Sequence, residues 1–217
     1  MPNVLVLSFE GFSFSSRQLY EQLLPKLLSR AIVHESLSIQ DALHYISSGW
    51  PNVILVTDPV ITGETEECKR ALAAIVDITK HGCTTVLMGF FASAVNSDRL
   101  NTIFKDDLGL RWRVSEYTKH NTRLHTLDDN LIRVAGLMPT FYAKAVYLSH
   151  VPMAQTIYSG RSGADPNAYA AYARFGLGKL GYIGDVNFTE EPERLILAMC
   201  HLDRPEDSGQ SMDAETS

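Results

Sequence analysis

Cysteine is scarce in this chain. There are three among 217 residues, Cys68, Cys83 and Cys200, an odd number without CxxC spacing. That excludes a disulfide framework and reads as reduced thiols, each a small buried hydrophobe, in a cytoplasmic protein. No apolar run approaches the roughly 18 residues a membrane-crossing helix needs, so no membrane partner is expected. No basic segment precedes the first apolar run at Asn3, which argues against a signal peptide. A basic surplus is also missing: 19 lysines and arginines face 25 acids, a net charge of −6, which argues against nucleic acid as a partner. The seven histidines show neither HxxxH nor HxH spacing, so no metal is expected. No GxGxxG or Walker A sequence follows the first strand, and Gly176-Leu177-Gly178 joins two strands instead of opening a helix, so no nucleotide cofactor is expected.

What is present reads as one globular domain over residues 1–202. Residues 203–217 hold five acids and one arginine with almost nothing apolar, and read as a flexible acidic tail. Hydrophobic residues make up 45% of the chain, enough for a core without staples.

The first half alternates strand and helix. Val4–Phe9 is a nearly continuous apolar run, as a strand buried on both faces requires, and Ala31–Leu37, Val53–Thr57 and Thr84–Gly89 read as the next three strands. Between them, a helix is predicted from the Ser15–Ser16 caps to Ser29, kinked or restarting at Pro25. A second starts at Ser38, with Ile39, Ala42, Leu43 and Ile46 on one face, and a third runs from Glu64 to Lys80. The order β-α-β-α-β-α-β predicts an α/β fold, a flavodoxin-like parallel sheet with helices on both faces. The second half reads as a β-rich insertion: an antiparallel extension, a lid or an interface. It has a short helix at Asp98–Asp107, short strands at Arg111–Val114, Thr122–His125, Ala145–Leu148 and Gln155–Tyr158, and a loop at Pro166-Asn167. A hairpin turning at 176–178 and a last helix at Glu190–His201 follow.

In a parallel sheet, ligands bind beyond the carboxyl ends of the strands. The candidate acids there are Glu10 after the first strand, Asp58 after the third and Asp185 after the last, with Asn187 two residues on. Two carboxylates in one crevice can divide general acid and base roles, so Glu10 and Asp185 are the candidate catalytic pair. Each has a plainer reading as a turn or capping residue. Phe90 and Phe91 offer an aromatic floor or core packing. Ser93 is a displaced nucleophile or a helix cap. His120 and His150 are the histidines best placed to enter from the second half, alongside Trp112 and Tyr117.

Three segments carry a resemblance: the strand opening at Val4, the stretch His81-Gly82-Cys83-Thr84-Thr85-Val86-Leu87-Met88-Gly89-Phe90-Phe91, and Gly181-Tyr182-Ile183-Gly184-Asp185-Val186-Asn187. Together they resemble the class I glutamine amidotransferase-like superfamily over residues 3–201. That superfamily includes the glutaminases, the ThuA-like trehalose-utilisation proteins and the parkinsonism-associated deglycases. Gly109-Leu110-Arg111-Trp112 resembles an uncharacterised fungal branch of it. The resemblance implies a site at the strand ends, a functional glutamate at Glu10, and a homodimer. It also implies a nucleophilic cysteine two positions after Gly89, where this chain has Phe91, and a histidine near Asp185-Val186-Asn187, where it has none. Glutaminase chemistry is therefore excluded, because a phenyl ring cannot attack an amide. Two readings remain. In one, the chain binds and converts a small polar metabolite by carboxylate acid/base chemistry, as a lyase, isomerase or hydrolase. In the other, it is a pseudoenzyme, a non-catalytic binding module or interaction subunit.

Overall fold

The computed structural model describes residues 1–10, 20–125, 127–128, 130–162 and 165–208. The expected caps at Ser15 and Ser16 and the tail beyond 208 lie outside the described residues. A single nine-stranded sheet runs through the molecule in the order β2-β1-β3-β4-β9-β8-β6-β5-β7. The strands are β1 Asn3–Leu7, β2 Ile32–Ser36, β3 Val53–Val56, β4 Thr84–Leu87, β5 Arg113–Leu124, β6 Thr140–Ser149, β7 Thr156–Ser162, β8 Asp165–Phe175 and β9 Gly178–Ile183.

This order corrects the predicted fold class. Parallel ladders join only β1–β2, β1–β3, β3–β4 and β4–β9. The other ladders are antiparallel, and β7 pairs with both β5 and β8, so that β5, β6, β8 and β7 close on themselves as a four-stranded barrel. The molecule is thus a mostly antiparallel sheet with a barrel, not a flavodoxin-like parallel sheet carrying an insertion. The physical reason lies in the connections. The links among β5 to β9 contain no α-helix, and antiparallel neighbours accept short links where parallel ones need a long crossover.

The short strands predicted in the second half merge into longer ones, β5 alone spanning twelve residues. Pro166 and Asn167 belong to β8, opposite Arg161 and Gly160, and are not a loop. The 176–178 hairpin forms as expected. Gly176 takes φ 62°, and a Cβ on Gly178 would collide with the carbonyls of Cys83 and Thr79.

The helices are α1 Leu23–Arg30, α2 Ile39–Gly49, α3 Glu66–Lys80, α4 Phe91–Ala94, α5 Ser97–Thr102 and α6 Glu190–Met199. α1 begins at Leu23, so Pro25 is its third residue and sits in the first turn, where its missing N–H would be left unbonded anyway. The Ser38 and Thr65 side chains accept the N–H groups of Asp41 and Cys68, capping α2 and α3. The helix predicted at Asp98–Asp107 is α5 followed by a π-helical turn, Ile103–Asp107.

Two apolar clusters fill the two sides of the sheet. One gathers Val4, Val6, Leu55, Val86, Tyr172 and α6; the other gathers Leu5, Leu7, Ile54, Val56, Leu87, α3 and Trp112. Inside the segment expected as tail, Asp207 is buried against Arg30, with oxygens 2.5 and 2.9 Å from the two terminal guanidinium nitrogens. Among the described residues no helix is long and apolar enough to cross a membrane.

Candidate functional site

The predicted pair is not on adjacent strands. Glu10 follows β1 and Asp185 follows β9, and β3 and β4 lie between them. Three interstrand spacings of about 4.8 Å separate those strand ends by roughly 14 Å. Among the described residues no hydrogen bond links the two acids. The geometry instead divides the strand-end face into two places.

At the ends of β1 and β3, the Asp58 carboxylate accepts three backbone N–H groups: from Phe9 at 2.6 Å, Glu10 at 3.3 Å and Val60 at 3.1 Å. Burial pushes its pKa up, and these three N–H groups pull against that. Asp58 therefore clamps the turn after β1 to the turn after β3. Ser8 and Thr57, both buried, join the same strand ends, their hydroxyl oxygens 3.3 Å apart. Glu10 itself is exposed and lines an open cleft of about 640 Å³ with Thr62, Glu64, Asp98 and Arg99. The Arg99 guanidinium donates to the Thr62 carbonyl at 3.0 Å.

At the ends of β4 and β9 the face is closed. Asp185 is 1% exposed. Its carboxylate accepts the N–H groups of Asn187 at 3.3 Å and Phe188 at 2.8 Å, and the Tyr20 hydroxyl at 3.3 Å. The Tyr169 hydroxyl faces the same carboxylate without reaching hydrogen-bond geometry. Burial raises the Asp185 pKa, and the surrounding donors lower it. Burial and the neighbouring carboxylate both hold the Tyr20 phenol far above its ordinary value. Above this pair, Phe188 meets Tyr20 and Phe90 edge-on, with centroids at 5.4 and 5.0 Å. Asp185 thus organises its own turn and has no exposed surface with which to meet a substrate.

The turn between β4 and α4 is where a nucleophile elbow would sit. Its left-handed residue is Gly89, at φ 65°. That left-handed position, from which an elbow presents its side chain, lies two residues before the Phe91 position that the resemblance implies, and as glycine it carries no side chain. Phe91, two residues on, turns into the core and is 1% exposed, so it is no ligand floor. Phe90 is half-buried over the strand ends. Cys83 lies at the other end of β4, and burial pushes its thiol up to about 12, where it is not a nucleophile at neutral pH.

The remaining candidates are dispersed. Ser93 is exposed and donates to the Phe90 carbonyl at 3.0 Å, as a helical residue bonding its own turn. It lines a separate cleft of about 500 Å³ with Glu116 and Tyr117. His120 lies on β5, its Nε2 3.4 Å from Glu116, and Asn167 donates to that same carboxylate at 3.0 Å. His150 follows β6 in a left-handed conformation, φ 58°. Asn187 is exposed and contributes its backbone N–H to Asp185. Of the predicted residues, the fold joins Glu10 to Asp58 through its backbone, and Asp185 to Asn187 through its own turn. It brings no histidine to either acid.

Sequence reasoning missed Tyr20, Tyr169 and Phe188. Asp-x-Asn-Phe is a readable turn signal, but nothing in the pattern announces that tyrosines from two distant segments face it. Burial alone makes that visible.

No family model and no curated protein sequence matches the chain. Solved structures do match. A protein of Parabacteroides merdae described as ThuA-like superposes with a TM-score of 0.56 over 92% of this chain and 88% of its own, at 11% identity. A β-galactosidase from Bacillus circulans sp. alkalophilus matches at 0.55 over 91% of this chain, at 13% identity. One from Halorubrum lacusprofundi matches at 0.53 over 93%, at 14% identity. The chain spans about 30% of the length of each of these β-galactosidases. At such identities the likeness speaks for the fold alone, and that fold is consistent with a ThuA-like, glutamine amidotransferase-like architecture.

Proposed function

We propose that this chain is a non-catalytic binding or interaction module built on a ThuA-like, glutamine amidotransferase-like scaffold. The observation that carries this reading is the closed β4/β9 end: glycine at the elbow, and beside it a carboxylate 1% exposed and engaged by two backbone N–H groups and a tyrosine. A general acid or base must reach the proton it moves, and Asp185 reaches only protein.

The test pairs stability with turnover. The Asp185→Asn variant is expected to unfold about 2 kcal/mol more easily, because Asn cannot accept from both N–H groups and the Tyr20 hydroxyl as a carboxylate does. Isothermal calorimetry on mixtures of sugars, amides, esters and hydroxy acids is expected to show no turnover by the unaltered chain. Heat from a sustained reaction that Glu10→Gln or Asp185→Asn abolishes would overturn the proposal and restore the carboxylate enzyme.

A further inference from the structure

The chain's cations are not evenly spread, and one group of them has a single acid beside it. After α5 the helix widens into the π turn Ile103–Asp107, a rare element that recurs at functional sites. Leu108 N–H bonds back to Ile103 and Leu110 N–H to Phe104, with Gly109 left-handed at φ 62° between them. The chain then enters β5 through Arg111-Trp112-Arg113. The Trp112 indole is pinned inward. It is 1% exposed, meets the Phe104 ring edge-on at 5.5 Å, and donates from Nε1 to Gln155 at 2.9 Å. With residue 112 fixed in the core, extended-chain alternation sends its two neighbours outward together. Arg113 pairs with Ser149 of β6, which brings the next residue, His150, to the same place.

These groups line an open cleft of about 620 Å³, with Lys105 from the π turn as its fourth basic member. The one acid in its wall is Asp106, 4.0 Å from Lys105. Among the described residues no carboxylate lies within ion-pair distance of Arg111 or Arg113. Three fixed positive charges and an imidazole against one negative charge, in a chain of net −6, is an arrangement that folding alone does not reward. His150 adds a left-handed backbone, uncommon outside glycine and concentrated at ligand sites.

We propose that this cleft binds the phosphate group of a small phosphorylated molecule. Two adjacent guanidinium forks are suited to the paired oxygens of a phosphate, and an ammonium supplies a further point charge. The surplus of two positive charges matches a phosphate dianion. The volume falls within the range of small-molecule sites and leaves room for an organic part beyond the phosphate. This cleft lies between α5 with its π turn and the start of β5, and adjoins the Glu10 cleft, with which it shares Thr102.

The experiment uses the full chain carrying Trp50→Phe, which removes the exposed tryptophan and leaves Trp112, in the wall of the cleft, as the sole indole reporter. Inorganic phosphate, and separately phenyl phosphate, are titrated at constant ionic strength against sodium chloride. Trp112 emission and the thermal midpoint are read together, because a ligand selective for the folded state raises the midpoint even where the indole is silent. Saturable binding is expected. It should weaken at least tenfold when Arg111→Gln and Arg113→Gln are combined, and change less than twofold with Arg123→Gln, a cation outside the cleft. Both arginines are exposed, so these variants should keep the native circular dichroism. Tighter binding of phenyl phosphate names an organic phosphate as the ligand, and equal binding names free phosphate; either supports the site. A response no larger than that of chloride overturns the proposal. So does one that the double variant retains.

Discussion

The strands on the two sides of β9 solve the same burial problem in opposite ways. β1, β3 and β4 are four or five residues long, and β3 and β4 are buried at every position. β5 is twelve residues long and alternates exposed and half-buried positions along most of its length. The short strands are covered by helices on both faces, and most of their side chains are apolar on either face. The long strands cover themselves: the sheet curls until β7 meets β8, which hides one face and removes an edge that would otherwise stay open to pairing. β9 belongs to both systems, parallel to β4 and antiparallel to β8. The difference shows why the two halves look unlike in composition although they share one continuous sheet.

The junction between them is the place to break that comparison. Gly184 follows β9, donates its N–H to Tyr169 of β8, and accepts the N–H of Val146 of β6, each at 2.9 Å. A Cβ there would press on the Val146 carbonyl. Gly184→Ala is expected to destabilise the chain by about 3 kcal/mol, since backbone cannot step aside as a side chain does. Gly109→Ala, at φ 62° with open space around it, should cost only about 1 kcal/mol through the left-handed backbone. Urea midpoints give the ratio. If the two variants are equally stable, the junction does not hold the halves together.

Carboxylates on the two sides should titrate in opposite senses. Asp207 is buried, which alone would raise its pKa, but the Arg30 guanidinium holds it below the ordinary value. Its contribution is present above the unfolded pKa of about 3.9 and is lost as pH falls through the lower folded value. Asp207→Asn should therefore cost about 2 kcal/mol at neutral pH, with the gap closing in acid. Glu191, on α6, has its pKa raised by burial, against the pull of the Tyr158 hydroxyl and the Met138 N–H, which donates at 2.9 Å. Its contribution is full below an unfolded pKa of about 4.3 and fades as pH rises through the higher folded value. The stability of Glu191→Gln relative to the unaltered chain should accordingly improve as pH rises from about 4 toward neutrality. Denaturant midpoints across that range check both signs, and parallel curves for the two variants would contradict the assignment.

The smallest effect lies on the barrel's outer face. Lys119 and Lys144 stand directly opposite in the β5–β6 ladder, and the Lys144 ammonium also lies 4.9 Å from the centre of the exposed Tyr117 ring. Like charges facing across a ladder are unfavourable. Lys119→Glu should stabilise by about 0.5 kcal/mol, a gain that added salt diminishes. A variant no more stable at low salt would show that the two ammonium groups already avoid one another.

The legible parts of the fold were those in which pattern and environment agree. Val53-Ile54-Leu55-Val56 is apolar throughout because both of its faces are buried, and it reads as a strand without help. Ser38 announces a helix start through its own side chain, whereas the Thr65 cap shows only in the structure. β5 was read as two fragments, because Glu116, Lys119 and His120 interrupt any apolar run. Those groups are tolerated by partial exposure and by contacts such as Glu116 with Asn167, which no local window contains. The candidate site divides in the same way. Position after a strand picked out Asp58 and Asp185 correctly as strand-end residues. Whether an acid there faces solvent or its own backbone depends on which segments fold over it, and Tyr20 is 165 residues from Asp185.

By itself, the sequence determined where the buried strands begin, where the helices are capped, and that no thiol stands two residues beyond Gly89. These are local facts, set by side-chain chemistry and backbone preference within a few residues. Tertiary structure alone decided that β7 returns to close a barrel, that two strands separate Glu10 from Asp185, and that Arg111, Arg113, Lys105 and His150 share one cleft. Sheet order and charge convergence depend on contacts between distant segments, and their energies belong to pairs that only the folded chain brings together.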